Sequence, residues 1–196
     1  FIMTFDEVVD AVLGLVKRPD KLVVIQNAVN AQLKRCVLKT SFSHDLIETS
    51  IPIDDSVYSQ TINLAQLDVP LVRFRKWKYL KLPGVLGYLN PIDTQNVFVP
   101  GGFTQTDSFY MVGTNLTILT SSLSNTLLVG YYQYAPTLSG SQTHWLLEIC
   151  PEILINKAAA DVFNAIGDQA ASKYYLATGE ELYIILANDL RDQITY

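Results

Sequence analysis

Gln142-Thr143-His144-Trp145-Leu146-Leu147-Glu148-Ile149-Cys150-Pro151-Glu152-Ile153-Leu154-Ile155, followed by Lys157-Ala158-Ala159-Ala160-Asp161-Val162-Phe163, marks where a long β-rich middle gives way to helix. A polar turn leads into an aromatic anchor, Trp145. Pro151 then stands where a helix can begin, because its missing N–H would have no partner in the first turn and its fixed φ suits that position. Behind it Ile153, Leu154, Ala158, Val162 and Ile166 recur on one face, and Ala159 with Ala160 let a second helix approach closely. Trp145, Leu146, Ala158, Ala159, Ala160 and Val162 are therefore candidate helix-packing residues, within a subunit or between subunits. Gly167-Asp168 reads as a break and a new cap. A last helix is predicted from Gln169 to about Asp189, with Tyr175, Leu182, Ile185 and Leu186 inward, weakened at Gly179 by about 1 kcal/mol relative to Ala.

Working back from that stretch, the chain also opens with helix. Thr4 and Glu7 have capping-box spacing, and Phe5, Val8, Val9, Val12, Leu13 and Val16 recur at helical intervals. Lys17 and Arg18 are placed in the last turn, where cations favour the carbonyl end of the helix dipole, and Pro19 stops the element. Asp20 is the expected cap of a second helix. Its inner face is read as Leu22, Ile25, Val29, Leu33 and Cys36 with Ala28 beside them, and its polar face as Gln26, Asn27, Asn30, Gln32 and Lys34. So short a link makes the two helices antiparallel or sharply angled neighbours.

Between residues 42 and 140 the period changes. Runs at 42–53, 57–64, 71–82, 108–112, 115–119 and 127–134 read as strands, with turns at Asp54-Asp55-Ser56, Asn90-Pro91, Gly101-Gly102 and Gly113-Thr114 and a further short strand between residues 86 and 100. Alternation slips between Arg75 and Trp77, which predicts a bulge or bend. Tyr131-Tyr132-Gln133-Tyr134 puts large rings on both faces of its strand, core on one and a candidate subunit contact on the other. The expected fold is α+β: a helical body of about four helices, two at each end, formed by residues 1–41 and 141–196, with a central antiparallel β sandwich or barrel-like insertion over residues 42–140.

Charged residues make up 17% of the 196, well below the roughly 25% of an average soluble domain. Surplus apolar surface of that kind ends up against a partner. No apolar run is long enough to span a membrane, and Phe1-Ile2-Met3-Thr4 lacks the basic and apolar regions of a signal peptide, so a soluble intracellular product is expected. Cys36 and Cys150 stand in no metal-ligand or C-x-x-C spacing and are expected to be buried thiols. The net charge of −5 hides an asymmetry: Arg73, Arg75, Lys76, Lys78 and Lys81 concentrate five of 14 cations, leaving nine against 19 anions elsewhere.

Nothing in the pattern assembles catalysis. A nucleophile needs a base within reach and a third group to hold it, and neither His44 nor His144 has a G-x-S-x-G elbow or a cysteine signature as companion. His44 is expected on a turn, and His144 as the polar neighbour that positions Trp145. Asp54-Asp55 lacks the alternating oxygen ligands of a calcium loop, and the glycine pairs lack the context of a phosphate loop. No enzyme, metal or cofactor is expected, and a carboxylate pair brought together by the fold is the one enzymatic alternative. The stretch from Arg73 to Lys81 has two readings. Its cations and rings suit phosphates and bases, or its lysines guard an exposed edge strand whose rings face the core. The acidic remainder favours the second reading, with an acidic partner protein or passing DNA beside it.

Three stretches, taken in order, carry a resemblance. They are Tyr110-Met111-Val112-Gly113-Thr114-Asn115-Leu116-Thr117-Ile118, then Leu127-Leu128-Val129-Gly130-Tyr131-Tyr132, then Thr143-His144-Trp145-Leu146-Leu147-Glu148 with Pro151-Glu152-Ile153-Leu154 and its alanine-rich helix. Together with the Asn30-Ala31 pair of the second helix, they resemble the head-to-tail adaptor proteins of short-tailed bacteriophages over nearly the whole chain; His144 stands where that family commonly has Asn. The resemblance implies a virion structural protein, made in the host cytoplasm, whose ring of identical subunits, generally twelve, docks under the capsid portal and holds the tail nozzle. The helical part is expected to build the ring wall and the β part to project toward the tail, where Arg73, Arg75, Lys76, Lys78 and Lys81 would meet a tail partner or DNA. The carboxy terminus, with Arg191, Ile194 and Tyr196, is expected to reach the portal. Partners on this reading are further copies of the chain, the portal protein, the nozzle protein, fibre-associated proteins and DNA in transit, with no membrane. An acidic wall suits a channel, since like charge keeps DNA from sticking. The alternatives are another ring protein of the phage tail or head-completion set, and, from a different class, a nucleic-acid-binding module using residues 73–81.

Overall fold

A computed structural model describes residues 2–56, 58–67, 70–93, 107–121 and 124–192, with backbone alone for residues 191 and 192. Ile194, Tyr196, the Arg191 side chain, Gly101-Gly102 and the strand expected beyond residue 93 lie outside the described residues. The fold is α+β, with five helices and two sheets among the described residues. It divides into a helical unit, Phe1–Asp45 with Tyr134–Tyr196, and a β unit, Leu46–Gln133. Residues 42–45 and 134–140, assigned from sequence to the insertion, belong with the helices: Phe42, Ala135 and Leu138 are buried in the helical core.

In the helical unit, α1 is Phe5–Val16. Its capping box is formed, with Glu7 N–H donating to Thr4 Oγ1 and Thr4 N–H to Glu7 Oε2 at 2.7 Å. Lys17 and Arg18 are not in the last turn. Lys17 takes the left-handed conformation at φ 55° and donates its N–H to Leu13 O, which terminates the helix, while Arg18 turns to Asp20. For the same reason Asp20 does not cap α2 (Leu22–Lys39), since its carboxylate is occupied by Arg18 in the 3₁₀ turn Pro19–Lys21. α2 buries Ile25, Ala28, Val29, Leu33, Cys36 and Val37. Two positions depart from its expected faces: Leu22 is exposed, and Gln32 is buried because its amide donates to Asp161 Oδ2 at 2.7 Å.

The returning chain supplies α3 (Trp145–Ile149), a short helix that the sequence reading passed over, then α4 (Pro151–Ala165) and α5 (Gln169–Asp192). Pro151 opens α4 as expected. Ile153, Leu154, Ala158, Ala159, Ala160 and Val162 are all buried, so α4 is the central helix against which α1, α2, α3 and α5 pack. Asp168 Oδ1 accepts the Ala171 N–H ahead of α5, after a break at Gly167 with φ 88°. The inward face of α5 is Tyr183, Leu186 and Leu190, and Ile185, expected inward, is 58% exposed. Gly179 is more than a weak point. A Cβ there would stand 2.7 Å from Lys157 Cγ and 3.3 Å from Lys157 N, so its bare backbone is what lets α5 lie against α4.

The β unit contains β1 (Leu46–Pro52), β2 (Ser59–Asn63), β3 (Phe74–Lys81), β4 (Asn90–Pro91), β5 (Ser108–Val112), β6 (Asn115–Leu119) and β7 (Thr126–Gln133). They form two sheets, ordered β1-β7-β3 and β2-β6-β5-β4. All pairings are antiparallel except β4 with β5, so Asn90-Pro91, expected as a turn, is itself a short parallel strand. The chain before β1 is also not strand: Ser43–Asp45 is a 3₁₀ turn. Ile51, Leu80, Leu127 and Val129 of one sheet share a core with Ile62, Leu116 and Ile118 of the other, a two-sheet sandwich. The β5–β6 hairpin turns at Gly113, whose φ of 60° is the value that such a tight connection requires.

Candidate functional site

The basic strand β3 lies at one edge of its sheet, paired with β7. Two register shifts, at Phe74/Lys76 and Trp77/Tyr79, break its ladder, the first where alternation slips in the sequence. The shifts decide where the rings go. Phe74, Trp77 and Tyr131 form one aromatic cluster, with centroids 4.5 Å apart for Phe74–Trp77 and 5.7 Å for Phe74–Tyr131, and the Trp77 indole N–H points at Met111 Sδ, 2.8 Å away. These rings are spent on packing and are not free to stack on bases. Arg73, at φ 50°, donates to Gln133 Oε1 at 2.6 Å, and the Lys76 ammonium sits over the Tyr132 ring at 5.4 Å. Lys76 and Lys78 are exposed, whereas Arg75 and Lys81 are half-buried. The five cations therefore form an edge whose charge is partly engaged within the sheet.

On the face of this sheet turned away from the core, the ring of Tyr79 lies over Gly130, where a Cβ would meet it at 2.5 Å. Tyr79 also stacks on Tyr88 and donates its hydroxyl proton to Glu48 Oε1. That hydrogen bond, more than burial, pushes the Tyr79 phenol up to about 12. Beside it, Glu48, Thr49, Ser50, Tyr79 and Leu128 line a shallow open depression of about 370 Å³. Tyr132, a candidate for subunit contact, is buried within its own copy, while Tyr134 is exposed.

The stretch from Gln142 to Pro151 is built as an anchor. His144 caps α3, its Nδ1 accepting the Leu146 N–H, which leaves the ring proton on Nε2, 3.6 Å from Asp45 Oδ1. Trp145 donates its indole N–H to the same Asp45 oxygen at 2.7 Å and is held between Phe42 and a stacked His44. Asp45 is almost fully buried, and its Oδ2 has no hydrogen-bond partner among the described residues. The chain just before this anchor also ties down the amino-terminal helices. Phe5 N–H donates to Gln142 O and Asp6 N–H to Gly140 O, satisfying first-turn donors of α1. Asn30 of α2 clamps Leu138 through both backbone groups, at 3.0 Å to the carbonyl and 2.8 Å from the N–H. The Asn30-Ala31 pair thus has a structural role.

A second cluster escaped the sequence reading. Lys157 of α4 is buried, yet its ammonium reaches Glu180 at 2.8 Å, which also takes Lys39 at 2.7 Å. Both ammonium groups lie over the Tyr183 ring, whose hydroxyl donates toward Thr40 Oγ1 and Cys36 O. The hydrogen bond from Lys157, then that from Lys39, holds the Glu180 carboxyl below its ordinary value. Three separated segments build this cluster, so no local spacing could have announced it. Burial pushes the Cys36 thiol up to about 11 and raises that of half-buried Cys150, so neither is a ready thiolate. Among the described residues no three His, Cys, Asp or Glu side chains stand together as metal ligands, and no helix is long and apolar enough to cross a membrane.

Of the candidate helix-packing residues, Leu146, Ala158, Ala159, Ala160 and Val162 are buried inside the unit's own core, and Trp145 is half-buried against it. They are contacts within the chain. Comparison with protein-family models finds no match to this chain, and comparison with curated proteins finds none either.

Proposed function

We propose that the chain is a head-to-tail adaptor subunit of a short-tailed bacteriophage, a virion structural protein without catalytic activity. Copies of it form a ring that joins the portal to the tail nozzle, with fibre-associated proteins beside it and DNA passing through. The observation that carries this reading is the working position held by each stretch of the resemblance. Tyr110–Ile118 is the β5–β6 hairpin, Leu127–Tyr132 lies in the central strand β7, His144 caps the returning helix, and Asn30 clamps the chain on its way there. The architecture supports the same division of labour, with both ends of the chain meeting in a helical unit and a β unit inserted between them.

The test is reconstitution with the portal and nozzle proteins of the virus that encodes the chain. The expected outcome is a stoichiometric ring on the portal, visible by negative-stain imaging, that recruits the nozzle. A chain that binds neither protein would overturn the reading. Salt-sensitive DNA binding lost on replacing Arg73, Arg75 and Lys76 together would install the nucleic-acid reading instead.

A further inference from the structure

We propose that the outer face of the sheet β1-β7-β3 binds a neutral saccharide, at the depression beside Tyr79. Cross-strand partners share a face, so the register sets Glu48, Gly130 and Tyr79 in one row across this side. Leu46, Tyr132 and Lys76 form the row before it, and Ser50, Leu128 and Lys81 the row after. The middle row is hollow at its centre, because Gly130 has no side chain. A glycine inside a strand weakens it and marks a place where another group approaches the backbone closely; here that group is the Tyr79 ring. The ring is held by its hydroxyl bond to Glu48 and by Tyr88, which stacks on it with centroids 5.1 Å apart. Tyr88 is itself 63% exposed, so it continues the aromatic surface of Tyr79 outward into solvent. An aromatic pair positioned in advance loses little freedom on meeting a ligand.

The chemistry of the lining selects the ligand. Among the described residues, Glu48, Thr49, Ser50, Tyr79 and Leu128 line the depression of about 370 Å³, which gives it one carboxylate, two aliphatic hydroxyls, one aromatic ring, one aliphatic chain and no cation. An anion would meet the Glu48 carboxylate. A cation would meet Lys76 and Lys81, which stand in the flanking rows of the same face. A flat apolar ligand would take Glu48, Thr49 and Ser50 out of water without replacing their hydrogen bonds. A sugar ring meets all three constraints. It is uncharged, its hydroxyls donate to Glu48 and exchange hydrogen bonds with Ser50 and Thr49, and its C–H face packs on the tyrosine ring and Leu128. Sites that enclose a small ligand are deep clefts, whereas this depression is shallow and open, which suits a stretch of a longer glycan lying across the sheet. The inference goes beyond the adaptor reading and does not depend on it.

The experiment follows amide chemical shifts of the full chain. Maltotetraose, cellotetraose and chitotetraose serve as neutral probes and a sulfated heparin tetrasaccharide as the anionic one, each titrated to about 10 mM so that millimolar affinities register. The expected result is saturable shifts with at least one neutral probe, centred on Glu48, Ser50, Tyr79, Tyr88 and Leu128, and none there with the sulfated probe. Two variants at exposed positions, each checked for an unchanged melting temperature, test the geometry. Tyr88→Ala removes the outer ring and lowers the affinity about tenfold. Ser50→Arg fills the depression and abolishes binding. Four results would each overturn the site: no shift with any neutral probe, shifts that fall elsewhere on the chain, equal binding of the sulfated probe, or variants that bind like the parent.

Discussion

The two units each hold a glycine pressed against a larger side chain, and the two glycines do different things. Gly179 sits between α5 and α4, where an added methyl would meet the Lys157 side chain and backbone and Asn156 Cβ. Gly130 sits in β7 beneath the ring of Tyr79, on the outer face of its sheet. The helical unit has no slack at its glycine because Lys157 is fixed by Glu180 and covered by the Tyr183 ring. The β unit has slack, since Tyr79 can swing into solvent at the loss of its bond to Glu48 and its stacking on Tyr88. What a close contact is worth depends on the freedom of the neighbour and not on the distance alone.

Substitutions can break or sharpen this contrast. The largest effect is expected from Ala159→Leu in the fully buried face of α4, where overpacking costs about 3 kcal/mol. Hydrogen exchange should accelerate across α1, α2, α4 and α5 and stay unchanged in the ladder of β1, β7 and β3. Equal acceleration in both units would mean that they unfold as one body. Next comes Gly179→Ala. The gain in helix propensity, about 1 kcal/mol, offsets only part of the clash, for a net loss of about 1 kcal/mol in thermal unfolding. Gly130→Ala is milder, well under about 1 kcal/mol, since one exposed hydrogen bond and one ring contact are all it displaces. If Gly130→Ala proves the more damaging of the two, the contrast in slack is wrong.

The smallest effect distinguishes the units by pH. The folded Glu180 carboxyl lies below its ordinary 4.5 because of Lys157 and Lys39, so its stabilisation is complete above 4.5 and fades as pH falls through the folded value. Tyr79 is displaced the other way, from 10.0 to about 12. Its contribution is complete below 10 and fades as pH rises toward 12. Acid should therefore loosen the helical unit through Glu180, whereas alkali acts on both units, on the helical one through Cys36, raised from 9.0 to about 11, and on the β unit through Tyr79. Each unit carries one of the two tryptophans, Trp145 and Trp77, so fluorescence of single-tryptophan variants follows each. Glu180→Gln should flatten the acid limb and leave the alkaline one.

Local chemistry was legible in the sequence. The Thr4–Glu7 capping box, Pro151 at a helix start, the hairpin at Gly113 and the slip in β3 each depend on residues a few positions apart. Misreadings arose where a distant residue decided the outcome. Gln32 reads as part of a polar face because Asp161, its partner, is 129 positions away. The expected Asp20 cap is the exception, lost to a near neighbour, since Arg18 two positions away takes its carboxylate. Asp45 carried no signal at all, since the indole it anchors lies 100 residues on. The basic strand keeps two readings in sequence because a run of alternating cations and rings does not say which way the rings face; in the fold Trp77 packs on the core and Phe74 packs on Trp77.

The clamp between Asn30 and Leu138 also sets a clock. The two residues are 108 positions apart, and at about 5–20 residues per second of synthesis the second emerges on the order of 5–20 s after the first. By then every strand of the β unit has left the ribosome, because Gln133 precedes Leu138. The first-turn donors of α1 wait longer still, for the carbonyls of Gly140 and Gln142. The packing of α1 and α2, which are made before the β unit, is therefore completed only after that unit is made. In the interval α1 and α2 must keep Val8, Val12, Ile25 and Leu33 sheltered without the helix that will finally cover them.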